Sequence, residues 1–136
     1  MLLLSKDRQE RNIWTPVGGE IDVPNSFAEQ AEIEALEEIG VKAKITRVFQ
    51  VIELYDEKSF YLKTHNAHME IVECFGEIIQ GTPQCIKQPS EPDCETVEFK
   101  WLTYEQFLIE FESGVIRVYP NIAVSIDVLH HNLFLI

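Results

Sequence analysis

Three glutamates crowd the stretch "EALEEIGV", Glu34, Glu37 and Glu38, and a glycine pair, Gly18 and Gly19, stands ahead of them. Residues three and four apart share one face of an α-helix, so in a helix these carboxylates project together. Crowding them is unfavourable. Like charges at that spacing cost an isolated helix roughly 0.2–0.5 kcal/mol per pair, and acid near a helix C-terminus also opposes the macrodipole. A hard divalent cation would offset this, because Mg²⁺ takes oxygen ligands octahedrally, often one or two carboxylates with water and substrate phosphates. The competing reading is a solvated acidic face, where most surface glutamates belong.

The elements around the glutamates must fix where they point. Ser26 with Glu29 three residues on is a capping-box pattern, Ala, Leu, Glu and Gln fill the interior, and Gly40 stands where a left-handed cap would end the helix. A helix over 27–39 is predicted. Before it, "MLLLS" reads as a strand and "KDRQERN" as a polar turn into "IWTPVGG", where Pro16 and the glycine pair interrupt regular structure. After it, "AKITRVFQVIELY", "AHMEIVECFGEII" and the shorter "VEFKWL" are rich in Val, Ile, Phe and Tyr with partial alternation, which predicts strands. The segment "QGTPQCIKQPSEPDCET" is a long surface loop by composition, and "TYEQFLIEFESG" and "PNIAVSIDVLHHNLFLI" are two closing helices. The class is mixed α/β (α+β), with strands outnumbering helices, in a single domain spanning 1–136.

Composition bounds the partners. At 136 residues and 46% hydrophobic, with no apolar run long enough for a bilayer, the chain reads as one soluble domain. A net charge of -12 argues against a nucleic-acid polymer as partner, since phosphate backbones are held by clustered Lys and Arg. The short apolar opening has the wrong flanks for a signal peptide, so a cytoplasmic location and no membrane partner are expected. Cys74, Cys85 and Cys94 are odd in number and lack C-x-x-C spacing, which predicts free thiols.

With the glycine pair, the fixed distance to "EALEEIGV" and the strand-loop-helix context in place, the region resembles the Nudix box, G-x5-E-x7-R-E-U-x-E-E-x-G-U, where U is aliphatic. Gly19 takes the first glycine, Glu34 the glutamate after the arginine, Ala35 the aliphatic position, Glu37 and Glu38 the pair, then Gly40 and Val41. The W-x-P-x-G-G stretch before the box, and the acidic loop, "W-L" strand and helix after it, are similar to the family too. Two positions depart from the pattern: Asn25 replaces the first glutamate and Ile33 replaces the arginine. In the family that arginine is expected to hold a catalytic glutamate by charge-assisted hydrogen bonds, which isoleucine cannot make.

The resemblance implies a Nudix-like α/β/α sandwich with a mixed central sheet and a catalytic loop-helix. It implies water attacking phosphorus in a nucleoside diphosphate linked to another moiety, with Mg²⁺ or Mn²⁺ as cofactor and a nucleotide-type small molecule as substrate. Glu34, Glu37, Glu38 and the Gly18 carbonyl are the metal-ligand candidates, although Glu37 or Glu38 could sit in an outer shell. Glu37, Glu38 and Glu95 are the catalytic candidates, with Glu95 preferred over Glu91, Asp93 and Glu98 as a loop base able to swing over the helix. The departures at Asn25 and Ile33 leave a second reading, a catalytically impaired nucleotide-binding or interaction module.

No residue is assigned to substrate binding. His65 and His68 read as turn histidines, His130 and His131 receive no role, and Trp14, Trp101, Phe49, Tyr55, Phe60 and Tyr61 are expected mainly in the core, although one near the site could stack on a base. The family usually carries a strand before the one that "MLLLS" resembles. Its lack would leave an unpaired edge, and a homodimer is expected to cover it.

Overall fold

A computed structural model describes residues 2–7, 13–54, 69–86 and 96–132. In chain order the elements are β1 (Leu2–Asp7), β2 (Trp14–Thr15), α1 (Phe27–Ile39), β3 (Lys42–Leu54), β4 (Met69–Gln80), β5 (Thr96–Leu102), α2 (Tyr104–Glu112) and α3 (Pro120–Asn132). One sheet has the order β2-β1-β5 and the other pairs β3 with β4, and every pairing within them is antiparallel. Parallel pairing, expected within a mixed sheet, is confined among the described residues to an isolated bridge between Ile13 and Arg117. Strand β1 is flanked on both sides, so its own backbone is not the edge that the dimer expectation invoked.

Strand alternation builds the layers. Leu3 and Leu4 are neighbours in sequence and therefore point to opposite faces of the sheet. Leu3 packs with Val17, Ala35, Ile39, Val41, Ala43 and Phe99, which puts α1 on that face. Leu4 joins Trp14, Leu102, Phe107, Ile116, Ile122 and Ile126, which puts α2 and α3 on the other. The register agrees, because Ser5 opposite Phe99 lies on the face of Leu3 and Lys100 opposite Leu4 lies on the other. The result is the helix-sheet-helix sandwich of an α+β fold. Phe107, Leu4, Ile39, Ile116 and Val41 are fully buried, each worth roughly 1.5–3 kcal/mol for its side chain.

Trp14 is buried with Lys6 and Lys100 ammonium groups over its ring, at 5.7 and 5.1 Å from the centroid. Trp101 is different: it lies opposite Leu3 on the α1 side of β5 and is 47% exposed, so it does not join the core. The cause is position, since β5 is the outermost described strand of its sheet. Of the cysteines, Cys74 is a free thiol, pushed up in pKa by burial and then by Glu73. Cys85 is disulfide-bonded, against expectation, because spatial approach of side chains and not their interval in sequence decides which thiols meet.

The β3–β4 ribbon is tied to helices on both sides. Its register shifts between Ile45 and Arg47, and there the Ile45 N–H donates to Glu32 Oε1 of α1 at 3.0 Å. Further along, the Gln50 amide donates to Glu73 and to Ser125 of α3, both at 2.7 Å, and the Ser125 hydroxyl donates to Glu73. Tyr104 of α2 meets α3 by stacking on His130 at 3.7 Å and donating its hydroxyl to Asp127.

Candidate active site

Helix α1 is set in place from both ends. The Ser26 side chain accepts the Glu29 N–H at 3.2 Å and Glu29 Oε2 accepts the Ser26 N–H at 2.8 Å, completing the predicted capping box. At the other end Gly40 adopts φ 70° and its N–H donates to Leu36 O at 3.1 Å. A side chain there would be strained by the left-handed backbone and would also press on Ile86 and Gln84. Between the caps, Ala35 and Ile39 face the sheet and Glu32 reaches β3. That orientation turns Glu34 toward the loop that precedes the helix.

Contacts across that loop are specific. A Cβ added to Gly19 would overlap the Glu34 carboxylate, with Oε2 only 2.7 Å away, so the carboxylate occupies the space that glycine leaves open. Gln30 Nε2 donates to Glu34 Oε1 at 2.8 Å. Gln30 is itself 3% exposed, and its Oε1 accepts from the Asp22 N–H at 3.1 Å and from Asn25 Nδ2 at 2.9 Å. Gly19, Asp22, Asn25, Gln30 and Glu34 thus form one connected group at the loop-helix junction.

The predicted site residues divide accordingly. Glu34 is half-buried and held, Glu38 is half-buried, and Glu37 is exposed beside Leu36, which is 57% exposed. Glu37 and Glu38 each have interaction partners. Gly18 is exposed with open space around its Cα. Glu98 lies on β5, 3.5 Å from Lys6. Glu91, Asp93 and Glu95 lie outside the described residues, as do Tyr55, Phe60, Tyr61, His65 and His68. A cavity of about 280 Å³ lies between β3 and α3, lined by Gln50, Ile52, Val124 and Ser125 among others, and none of the predicted site residues lines it.

Metal fit rests on donor chemistry. Among the described residues no three His, Cys, Asp or Glu side chains gather into a preformed cage. Carboxylate and carbonyl oxygens are nonetheless the hard donors that Mg²⁺ and Mn²⁺ take, and Mg²⁺ commonly keeps waters and binds through one or two carboxylates plus substrate phosphates. Glu34 suits that arrangement because the Gln30 bond engages Oε1 and leaves lone pairs on Oε2.

Sequence reasoning missed Gln30. It falls in the variable interval of the box pattern, and its only signal was a position four residues before Glu34 on the same helix face. Asn25, read as a lost glutamate, proves to be Gln30's hydrogen-bond partner.

Fold and site together define an α+β domain in which a glycine-bearing loop leads into a capped helix that presents glutamates. The chain belongs to the NUDIX domain family, whose model matches residues 1–122. Among solved structures it is similar to a UDP-X diphosphatase, at 20% identity and a TM-score of 0.57, over 76% of this chain and 45% of that one. It is also similar to an ADP-ribose pyrophosphatase from Streptococcus suis, at 19% identity and a TM-score of 0.53, over 85% of this chain and 86% of that one. The chain thus spans less than half the length of the UDP-X diphosphatase. No curated protein sequence matches it significantly. No helix among the described residues is long and apolar enough to cross a membrane.

Proposed function

We propose that the chain is a metal-dependent hydrolase of the pyrophosphate bond in a nucleoside diphosphate linked to another moiety. The observation that carries this reading is the seating of Glu34 between Gly19 and Gln30, on the α1 face that also bears Glu37 and Glu38. Glu34, Glu37, Glu38 and the Gly18 carbonyl would hold Mg²⁺ or Mn²⁺. Bound there, the ion supplies neutralisation of phosphate charge and acidification of a water. The protein's own part is to position the acceptors and take a proton. Water oxygen bonds to phosphorus, the bridging P–O bond breaks with its electrons leaving on the second phosphate, and the water's proton passes to a carboxylate. Glu37, Glu38 and Glu95 are the candidate bases, Glu95 lying outside the described residues.

A net charge of -12 fits a small phosphorylated substrate approached through a cation better than a nucleic-acid polymer. The names of the two similar structures make UDP-linked and ADP-linked compounds the first substrates to try. Trp101, half exposed on the α1 side of β5, and Phe27, half exposed at the start of α1, are described aromatics that could stack on a base. A cytoplasmic setting and a homodimer belong to the same reading, and sedimentation tests the latter.

The second reading, a binding module with weak or no catalysis, is favoured by one observation: Ile33, which can donate no hydrogen bond from its side chain, stands where the family pattern has the arginine that holds a catalytic glutamate. A panel of ADP-ribose, UDP-sugars, dinucleotides and nucleoside triphosphates, assayed with Mg²⁺ and with Mn²⁺, separates the two. Cleavage by the wild type that is lost in Glu37→Gln and Glu38→Gln supports the hydrolase. A nucleotide that binds tightly and survives intact supports the module.

A further inference from the structure

We infer that Gln30 is the positioning residue for Glu34, and that the Asp22 N–H, seconded by Asn25, fixes the direction of its amide. The inference rests on the hydrolase reading for its kinetic consequence but on geometry for its substance. An amide has an accepting end and a donating end, and only one arrangement satisfies this site. Two donors, the Asp22 N–H and Asn25 Nδ2, converge on Gln30 Oε1 at 3.1 and 2.9 Å. The Nε2 end is thereby turned onto Glu34 Oε1 at 2.8 Å. A glutamate or aspartate at position 25 would present an acceptor to Oε1, favour the flipped amide, and bring an oxygen against the Glu34 carboxylate. The departure at Asn25 therefore has a local role: its amide can donate to Gln30 Oε1, which an acid at that position could not do.

Burial separates this from an incidental contact. Gln30 is 3% exposed, so water does not replace the amide if it turns away. The Glu34 carboxylate also fills the space beside the Gly19 Cα, so the amide and the glycine together set its position. The competing role, a staple joining residues 22–25 to α1, uses only Oε1 and has no need of the Nε2 bond.

Two variants tell the ends of the amide apart. Gln30→Glu keeps an acceptor for Asp22 and Asn25 and sets a second carboxylate, in place of the donor, against Glu34. Gln30→Met removes both ends at similar volume, and so removes the donor without adding charge. Mn²⁺ affinity, read by electron paramagnetic resonance, is expected to weaken by about 10–100-fold in both variants, the range for loss of an outer-shell partner. With whichever panel substrate the wild type cleaves, kcat is expected to fall by about tenfold or more while KM changes little, as for loss of an interaction specific to the transition state. Circular dichroism confirms that each variant is folded. Retention of Mn²⁺ affinity and kcat in Gln30→Glu, with loss in Gln30→Met alone, would assign Gln30 to the staple and overturn the inference. So would retention in both.

A readout independent of metal and activity covers failure of the hydrolase reading. The Gln30 side-chain amide protons, observed by NMR, are expected to shift and to exchange faster in Glu34→Ala than in the wild type. If the wild type binds no Mn²⁺ and cleaves nothing, the hydrolase reading fails, and an amide resonance indifferent to Glu34→Ala then sinks the positioning role as well.

Discussion

Alanine at Gly19 is the smallest change that moves Glu34 without touching it. The added Cβ would lie 2.7 Å from Glu34 Oε2 and closer still to the rest of the carboxylate, where ordinary contact begins at 3.4 Å. The backbone holds, since Gly19 has no positive φ, so the side chain yields and the carboxylate retreats by roughly 1 Å, enough to cost on the order of 100-fold in rate when it displaces a catalytic group. That corresponds to about 2.7 kcal/mol of transition-state stabilisation. Gly19 is exposed, and the main loss to the fold is the hydrogen bond from buried Gln30 to the Glu34 carboxylate, worth about 1.5–3 kcal/mol because its acceptor is charged. The assay is kcat/KM on a cleaved panel substrate beside a thermal melt, with an expected fall of about 100-fold in the first and of about 6–12 °C in the second. The same substitution at Gly18 introduces a methyl that meets nothing within 4 Å and is expected to cost less. Full activity in Gly19→Ala, or a greater loss at Gly18 than at Gly19, would refute the seating of Glu34 as the basis of the site.

Ile33→Arg is expected to raise kcat/KM by less than about tenfold, or 1.4 kcal/mol, because Glu34 already has a donor in Gln30; a gain of 100-fold would mean that the carboxylate is loosely held without arginine. Ile39→Ala opens the cluster between α1 and the sheet at a residue only 2% exposed, and should cost about 2–5 kcal/mol in denaturant unfolding. The Tyr104 hydroxyl is raised above its ordinary pKa of 10.0, first by its hydrogen bond to Asp127, then by burial and by the charges of Asp127, Glu105 and Glu112. The folded protein therefore keeps this proton to higher pH than the unfolded chain, so its stabilising effect is complete below that value and is lost as pH rises through the folded pKa. Melts on either side of that value should show Tyr104→Phe less alkali-sensitive than the wild type.

What the sequence revealed depended on how local the signal was. Helix α1 was legible to its ends because Ser26, Glu29 and Gly40 act within one turn of where they stand. The strand at Leu2–Asp7 and the later strands followed from composition, and the opposite facing of Leu3 and Leu4 is a direct consequence of the pleat. Non-local facts were hidden. Trp101 has the composition of a core residue, and only the outer place of β5 exposes it. The disulfide at Cys85 depends on spatial approach, which no spacing rule supplies. At the site, the glutamates could be named from their helical interval, whereas Gln30 could not, because its partners come from a loop whose path is set by the fold.

Two glutamates of the acidic face differ in a way that bears on how an ion could be held. Glu34 lies half-buried with its position fixed by Gly19 and Gln30, whereas Glu37 is exposed beside an exposed Leu36. A cage closed by protein ligands alone would need three acids drawn together, and no such group occurs among the described residues. A site completed by substrate needs something else: one carboxylate held in advance, so that little ordering remains when the ion arrives, and an open side through which phosphate oxygens and water complete the octahedron. Half-buried Glu34 and exposed Glu37 would supply those two conditions. The Gln30 amide fits this division, since a neutral donor orients Glu34 without neutralising the charge it would offer to a cation.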